Sequence, residues 1–272
     1  MLPVEDDPRD VAYRTLDAFT AENEELDKLL ASLSYDVWST PTPSEGWTIA
    51  RQVAHLTLRA QDAIEAMTDR RRLLLTVERA SPSPHHDADY GGLALANRHP
   101  ETLLTQWREA REQFESTSHG ILEGDISSLP GAGSERLVTI ATAYGLMRTW
   151  AHAQDIFDAL DRPRMPSERL WYVADLGIGM DDPRFTAHGV LPLGQMECRI
   201  ELASPIGALW IWGDPTAAAR LRGTAEDFCL YVTRRRTRWE VELTATMEVE
   251  AWMSTAPMLL APAGRGYGPI SA

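Results

Sequence analysis

The stretch GLMRTWAHAQDIF, residues 145–157, sets Arg148, His152 and Asp155 at i, i+4 and i+7, so one helix face would carry a guanidinium, an imidazole and a carboxylate. Helical bundles project metal and catalytic sites inward from faces of this kind. A metal site would want an acidic ligand one turn before the histidine. This chain puts Arg148 there, and an arginine stays protonated and has no acceptor atom. A second histidine, His55, lies off the apolar stripe centred on Val53 and Leu56. Asp155 could orient His152 as its hydrogen-bond partner, with an ordinary helix-surface pair as the alternative.

These side chains need a frame, and the first half of the chain reads as helices. Leu16, Phe19, Leu26, Leu30 and Leu33 recur at helical spacing between Pro8 and Leu33. Pro41, Pro43 and Gly46 break the pattern, and Thr48 is placed to cap a second helix with the stripe Ile49, Val53, Leu56, Ala60, Ile64 and Met67. A third helix is expected from Pro100 to Leu122 and a fourth from Ser134 to Leu160. Four such amphipathic helices make a bundle, with SPSPHHDADYGG (81–92) in the long link, where His85 and His86 read as exposed. Trp47, Trp107, Trp150 and Trp171 read as core or interface residues.

Pro163 and Pro166 mark a boundary, which divides the chain into 1–162 and 163–272. Beyond it a short helix (167–176) precedes expected strands at 196–202, 209–212 and 239–244, and helices at 225–233 and 249–258. The paired acids Asp181 and Asp182 sit in a Gly/Pro-rich turn and read as solvated.

Forty acidic against 26 basic residues give 272 residues a formal charge of −14, which repels a phosphate backbone and argues against nucleic-acid binding. The one basic run, Arg234, Arg235, Arg236 and Arg238, reads as a solvated helix end or turn. Cys198 and Cys229 lie in apolar segments, as small hydrophobes do in a reducing cytoplasm. The N-terminus lacks an apolar h-region and no run of about 18 apolar residues occurs, so a soluble, cytoplasmic protein is expected. P-loop, GxGxxG, GxSxG and CxxC signatures are missing, which disfavours nucleotide-dependent and serine-hydrolase chemistry.

EGWTIARQVAHL (45–56) and GLMRTWAHAQDIFDAL (145–160), on the second and fourth helices, resemble the mycothiol-dependent maleylpyruvate isomerase family of the DinB-like metalloenzyme superfamily. RLWYVADLGIG, WIWGD and DFCLYVTRRR resemble the sterol-carrier-protein-like C-terminal domain of an actinobacterial branch. The resemblance implies an α+β chain, with a DinB-like four-helix bundle followed by a smaller α/β sterol-carrier-protein-like domain. It also implies a divalent metal, zinc or nickel, held by His55 and His152 together with a glutamate where this chain has Arg148, and mycothiol as thiol cofactor. Members of the family tend to read His-Leu-Gly where this chain has Asp175-Leu176-Gly177. A glutamate and a histidine would thus be exchanged for an arginine and an aspartate, and Arg148 and Asp175 could form an ion pair in place of the metal.

The expectation is therefore a small-molecule enzyme, a repurposed isomerase or cyclase of specialised metabolism. It would work without a bound metal through His55, Arg148, His152 and Asp175. The alternatives are a metal-dependent, mycothiol-linked isomerase or S-transferase using His55 and His152, and a non-catalytic small-molecule-binding protein. Either a monomer or a homodimer fits.

Overall fold

The structure, a computed structural model, describes residues 7–69, 90–126, 133–179 and 192–255. His85, His86, Asp181 and Asp182 lie outside these residues. The chain forms two compact units, Met1–Thr40 with Trp47–Ala153, and Pro41–Gly46 with Gln154–Ala272.

The first unit is helical. Helix α1 (Pro8–Ala31) begins at Asp7, whose side chain accepts from Arg9 N at 2.9 Å. Helix α2 (Ile49–Thr68) begins at Thr48, whose hydroxyl accepts from Arg51 N at 3.3 Å, as the sequence predicts. A short helix α3 (Tyr90–Ala96) precedes α4 (Pro100–Glu123), which ends on Gly124 in the left-handed conformation at φ 87°. Helix α5 (Ser134–Ala159) supplies its residues through Ala153 to this unit. The four long helices match their expected spans to within about two residues, because each carries its own stripe and a start signal.

Leu16, Phe19 and Leu26 of α1, Val53 of α2, Trp107 and Phe114 of α4, and Leu146 of α5 are buried in the core. Phe19 and Phe114 meet with ring centroids 4.8 Å apart. Asp27 on α1 ties down α4 by accepting from Arg108 (2.9 and 2.7 Å) and Arg111 (2.9 Å). Gly145 on α5 lets the Phe19 ring approach the helix backbone, since a Cβ there would lie 2.8 Å from Phe19 Cε2.

The second unit contains helix α6 (Leu170–Ile178) and a mixed four-stranded sheet. Strands β1 (Cys198–Ala203), β2 (Leu209–Trp212), β3 (Ala219–Thr224) and β4 (Thr244–Ala245) lie in the order β2-β1-β3-β4. β1 runs antiparallel to β2 and parallel to β3. Helix α7 (Ala225–Val232) follows β3 directly, capped by Thr224, and α8 (Met247–Thr255) follows β4. On β1, Cys198, Ile200 and Leu202 face the core, as their alternation predicts. Gly213 turns the chain after β2 at φ 79°, where a Cβ would collide with the Cys198 carbonyl oxygen.

Two readings of this half need correction. The expected strand 239–244 shrinks to Thr244–Ala245, because Thr237 and Glu240 form a reciprocal cap that winds Arg238–Glu240 into a 3-10 turn. Strand β3, ARLRGT, has no apolar alternation to reveal it; Arg222 pairs instead with Glu201 across the sheet at 2.6 Å. Burial pushes the Cys198 thiol up to about 11 and the Cys229 thiol well above its ordinary value, so both behave as apolar packing and not as nucleophiles.

Because Phe19 occupies the space that a Cβ would take, Gly145→Ala should overpack the α1–α5 contact and cost about 1–3 kcal/mol despite alanine's better helix propensity. Urea unfolding measures this. Unchanged or raised stability would mean that Phe19 moves aside freely.

Candidate active site

Residues 41–48 form a loop closed at its base by Ile49 N donating to Thr40 O at 3.1 Å. Trp47, just before the α2 cap, is 7% exposed and serves as a platform. The His152 ring stacks on it at 5.7 Å between centroids with 19° between planes, and the His55 ring meets it edge-on at 5.2 Å. The Arg51 guanidinium lies over the Trp47 ring at 4.7 Å. The two imidazoles are 4.8 Å apart, so α2 and α5 bring the predicted histidine pair together.

Gln52 and His55 are three apart on α2 and share a face directed at α5. Gln52 Oε1 accepts from His152 Nδ1, and both residues are buried. An amide oxygen can only accept, which favours the tautomer that carries its proton on Nδ1.

Arg148 lies one turn before His152 on α5, half-buried, with its guanidinium 6.0 Å from the Tyr144 ring centroid. Asp175 is on α6 in the second unit, where its Oδ1 accepts from Trp212 Nε1 at 2.9 Å and links α6 to β2. Trp107 and Trp150 are core residues as expected, whereas Trp171 is 39% exposed and sits against Tyr172 and Trp212.

Two polar readings are overturned. Asp155 is not a helix-surface residue: it is 2% exposed and accepts from Ser44 Oγ and from Arg235 Nη2, both at 2.9 Å. The arginine run is not a solvated turn either. Arg234, at φ 60°, turns the chain back over the end of α7, and Arg235 is left 2% exposed against Asp155. Arg236 forks onto Asp158 at 2.7 and 3.0 Å, and Arg238 onto Glu250 at 3.1 and 2.6 Å. Sequence reasoning also missed Gln52. The only available signal was its position three residues before His55 on an amphipathic helix.

A divalent metal with three protein ligands does not fit the donors among the described residues. Two imidazoles converge, and among the described residues no group of three His, Cys, Asp or Glu side chains could hold a metal ion.

The profile of the mycothiol maleylpyruvate isomerase N-terminal domain matches residues 19–157, a span that contains every residue of the Trp47 cluster. The chain belongs to the mycothiol maleylpyruvate isomerase N-terminal domain family. Two uncharacterized proteins of Mycobacterium tuberculosis, from strains CDC 1551 and H37Rv, are each 36% identical over 247 residues, covering 90% of this chain and 95% of theirs. Crystal structures of a mycothiol-dependent maleylpyruvate isomerase and of its histidine-to-alanine variant share the fold at TM-score 0.53, with 14% and 12% identity. Each alignment covers 86% of this chain and 92% of that one. The helical N-terminal domain followed by a small mixed sheet is thus the maleylpyruvate isomerase fold. No helix among the described residues is long and apolar enough to cross a membrane.

Within this member of the maleylpyruvate isomerase family, Asp155 and Arg235 are charges that depend on each other. Asp155→Ala and Arg235→Ala should each destabilise the protein by about 3–5 kcal/mol, because each strands a buried charge. The double variant should lose less than the sum of the two. Strict additivity in chemical denaturation would mean that the pair carries no mutual stabilisation.

Proposed function

We propose that this protein is a small-molecule isomerase or cyclase on the maleylpyruvate isomerase scaffold, in which side chains carry the acid–base chemistry that a metal and its ligands would otherwise support. The observation that carries this reading is the buried His152, with its Nδ1–H spent on Gln52 and its ring stacked on Trp47 beside His55. A base must be oriented with its lone pair defined, and this arrangement does both. In the proposed chemistry His152 Nε2 takes a proton from carbon, His55 returns one, and Arg148 stabilises the enolate or carboxylate that develops. Asp175 is assigned as the counter-charge of Arg148, replacing the exchanged ligands of the family. The two buried, free thiols suit a reducing cytoplasm.

The second reading is supported by the 4.8 Å approach of the imidazoles and by the mycothiol named in the family: His55 and His152 would then hold a metal that activates the thiol. Purified protein, assayed with maleylpyruvate with and without mycothiol and with and without chelator, separates the two. The first reading expects substoichiometric zinc or nickel, a melting temperature indifferent to chelator, and turnover that survives it. His152→Ala should cut turnover by roughly 10²–10⁴-fold. One tightly held equivalent of metal, lost together with stability and turnover on chelation, would establish the second.

The charge exchange is tested separately. Arg148→Glu combined with Asp175→His rebuilds the family's donor types beside His55 and His152, and should raise zinc affinity in a competition titration. If the double variant gains no metal, Arg148 and Asp175 do not stand in for ligands.

A further inference from the structure

The loop that carries Trp47 is fixed at two places. At its base Ile49 N donates to Thr40 O at 3.1 Å, and at its tip Ser44 Oγ donates to Asp155 Oδ2 at 2.9 Å. Ser44 is 1% exposed, so water does not compete for this hydrogen bond. Between Ser44 and Trp47, Gly46 takes the left-handed conformation at φ 72° and turns the chain into the start of α2.

Ser44 stands three residues before Trp47, and Asp155 stands three residues after His152, one turn along the same face of α5. Ser44, Asp155 and Arg235 fall in the second unit, and the chain itself carries their effect to Trp47 and His152 in the first. Two short covalent paths thus run from one hydrogen bond to the two rings of one stack, the indole and the imidazole 5.7 Å apart between centroids with 19° between planes. Bond, paths and stack form a closed loop. A ring stack is a weak contact beyond its buried area, whereas a hydrogen bond to a carboxylate is among the stronger ones. The contact at the loop tip is therefore the one that limits where the indole can lie.

Arg235 Nη2 donates to the same Asp155 oxygen at 2.9 Å, and both side chains are 2% exposed. The guanidinium alone neutralises the buried carboxylate. What the serine hydroxyl adds is the attachment of the loop.

We propose that Ser44 is a positioning residue of the histidine site: its hydroxyl, held by Asp155, keeps the 41–48 loop where Trp47 stacks on His152. It acts through Trp47. The role goes beyond the isomerase reading and does not rest on it, because it concerns how the His152 ring is held, whether that ring serves as a base or as a metal ligand.

Carbethoxylation of the full chain with diethyl pyrocarbonate, followed peptide by peptide in a mass spectrometer, tests this. Cleavage after arginine isolates His152 in 149–164 and His99 in 99–108. In the parent, His152 at 1% exposure should react slowly beside His99, whose side chain is 55% exposed. Ser44→Ala should accelerate His152 about tenfold or more, as expected for the loss of one hydrogen bond to a charged group, and leave His99 unchanged. The buried thiols of Cys198 and Cys229 report wider opening, and their labelling should keep the parent rate. By NMR, the His152 ring protons, shifted upfield by the indole in the parent, should move downfield in Ser44→Ala. The proposal is overturned if Ser44→Ala labels His152 at the parent rate with unmoved ring protons. It is equally overturned if His152, Cys198 and Cys229 accelerate together, which would mark a contribution to stability alone. A parent without isomerase turnover whose Ser44→Ala variant still exposes His152 would count against the isomerase reading and leave this one standing.

Discussion

A carboxylate and a guanidinium, each 2% exposed, can occupy the interior only together, and the second unit is organised around that necessity. Asp155 comes from the end of α5, Arg235 from the turn after α7, and Ser44 from the loop ahead of α2. Three segments distant in sequence therefore converge on one carboxylate. Arg235 Nη1 also donates to Thr233 O at 2.7 Å, and its backbone N donates to Leu230 O at 2.8 Å, which fixes the turn that delivers the guanidinium. The fork of Arg236 onto Asp158, one helical turn beyond Asp155, repeats the attachment with a more exposed pair. Hydrophobic residues of the same volume could fill the space, but they would not specify which turn meets which helix.

Helix α5 consequently carries two separate polar tasks within one turn. His152 looks to α2 through Gln52, while Asp155 is committed to Ser44 and Arg235. A carboxylate partner for His152 would favour its protonated ring, whereas an amide oxygen fixes the tautomer without adding counter-charge. Trp47 then holds the ring plane, and the Arg51 guanidinium lies over the same indole.

Much of this was legible in the chain because the relevant signals are local. Thr48 before an apolar stripe, Pro100 opening α4, and the alternation Cys198, Ile200, Leu202 each state their own structure. The histidine pair could be read because both residues sit on strongly periodic helices with a family resemblance at those positions. Asp155 and the arginine run misled for the opposite reason: a charged residue on a helix or in a turn reads as solvated until the residue that neutralises it is known, and that residue lies 80 positions away. β3 was hidden likewise, since Arg220 and Arg222 obscure a strand whose partners on β1 include Arg199 and Glu201. Gln52 was overlooked because amides carry no chemistry of their own; its role exists only once His152 is placed opposite.

On the proposed reading, Arg148 in place of an acidic ligand would change what the scaffold accepts. A glutamate and two imidazoles attract a dication and, through it, an electron-rich substrate; an arginine beside the same imidazoles attracts the anionic substrate directly. The polarity of the site would then be inverted, while the need to hold a negatively charged small molecule against proton-transferring groups would be retained.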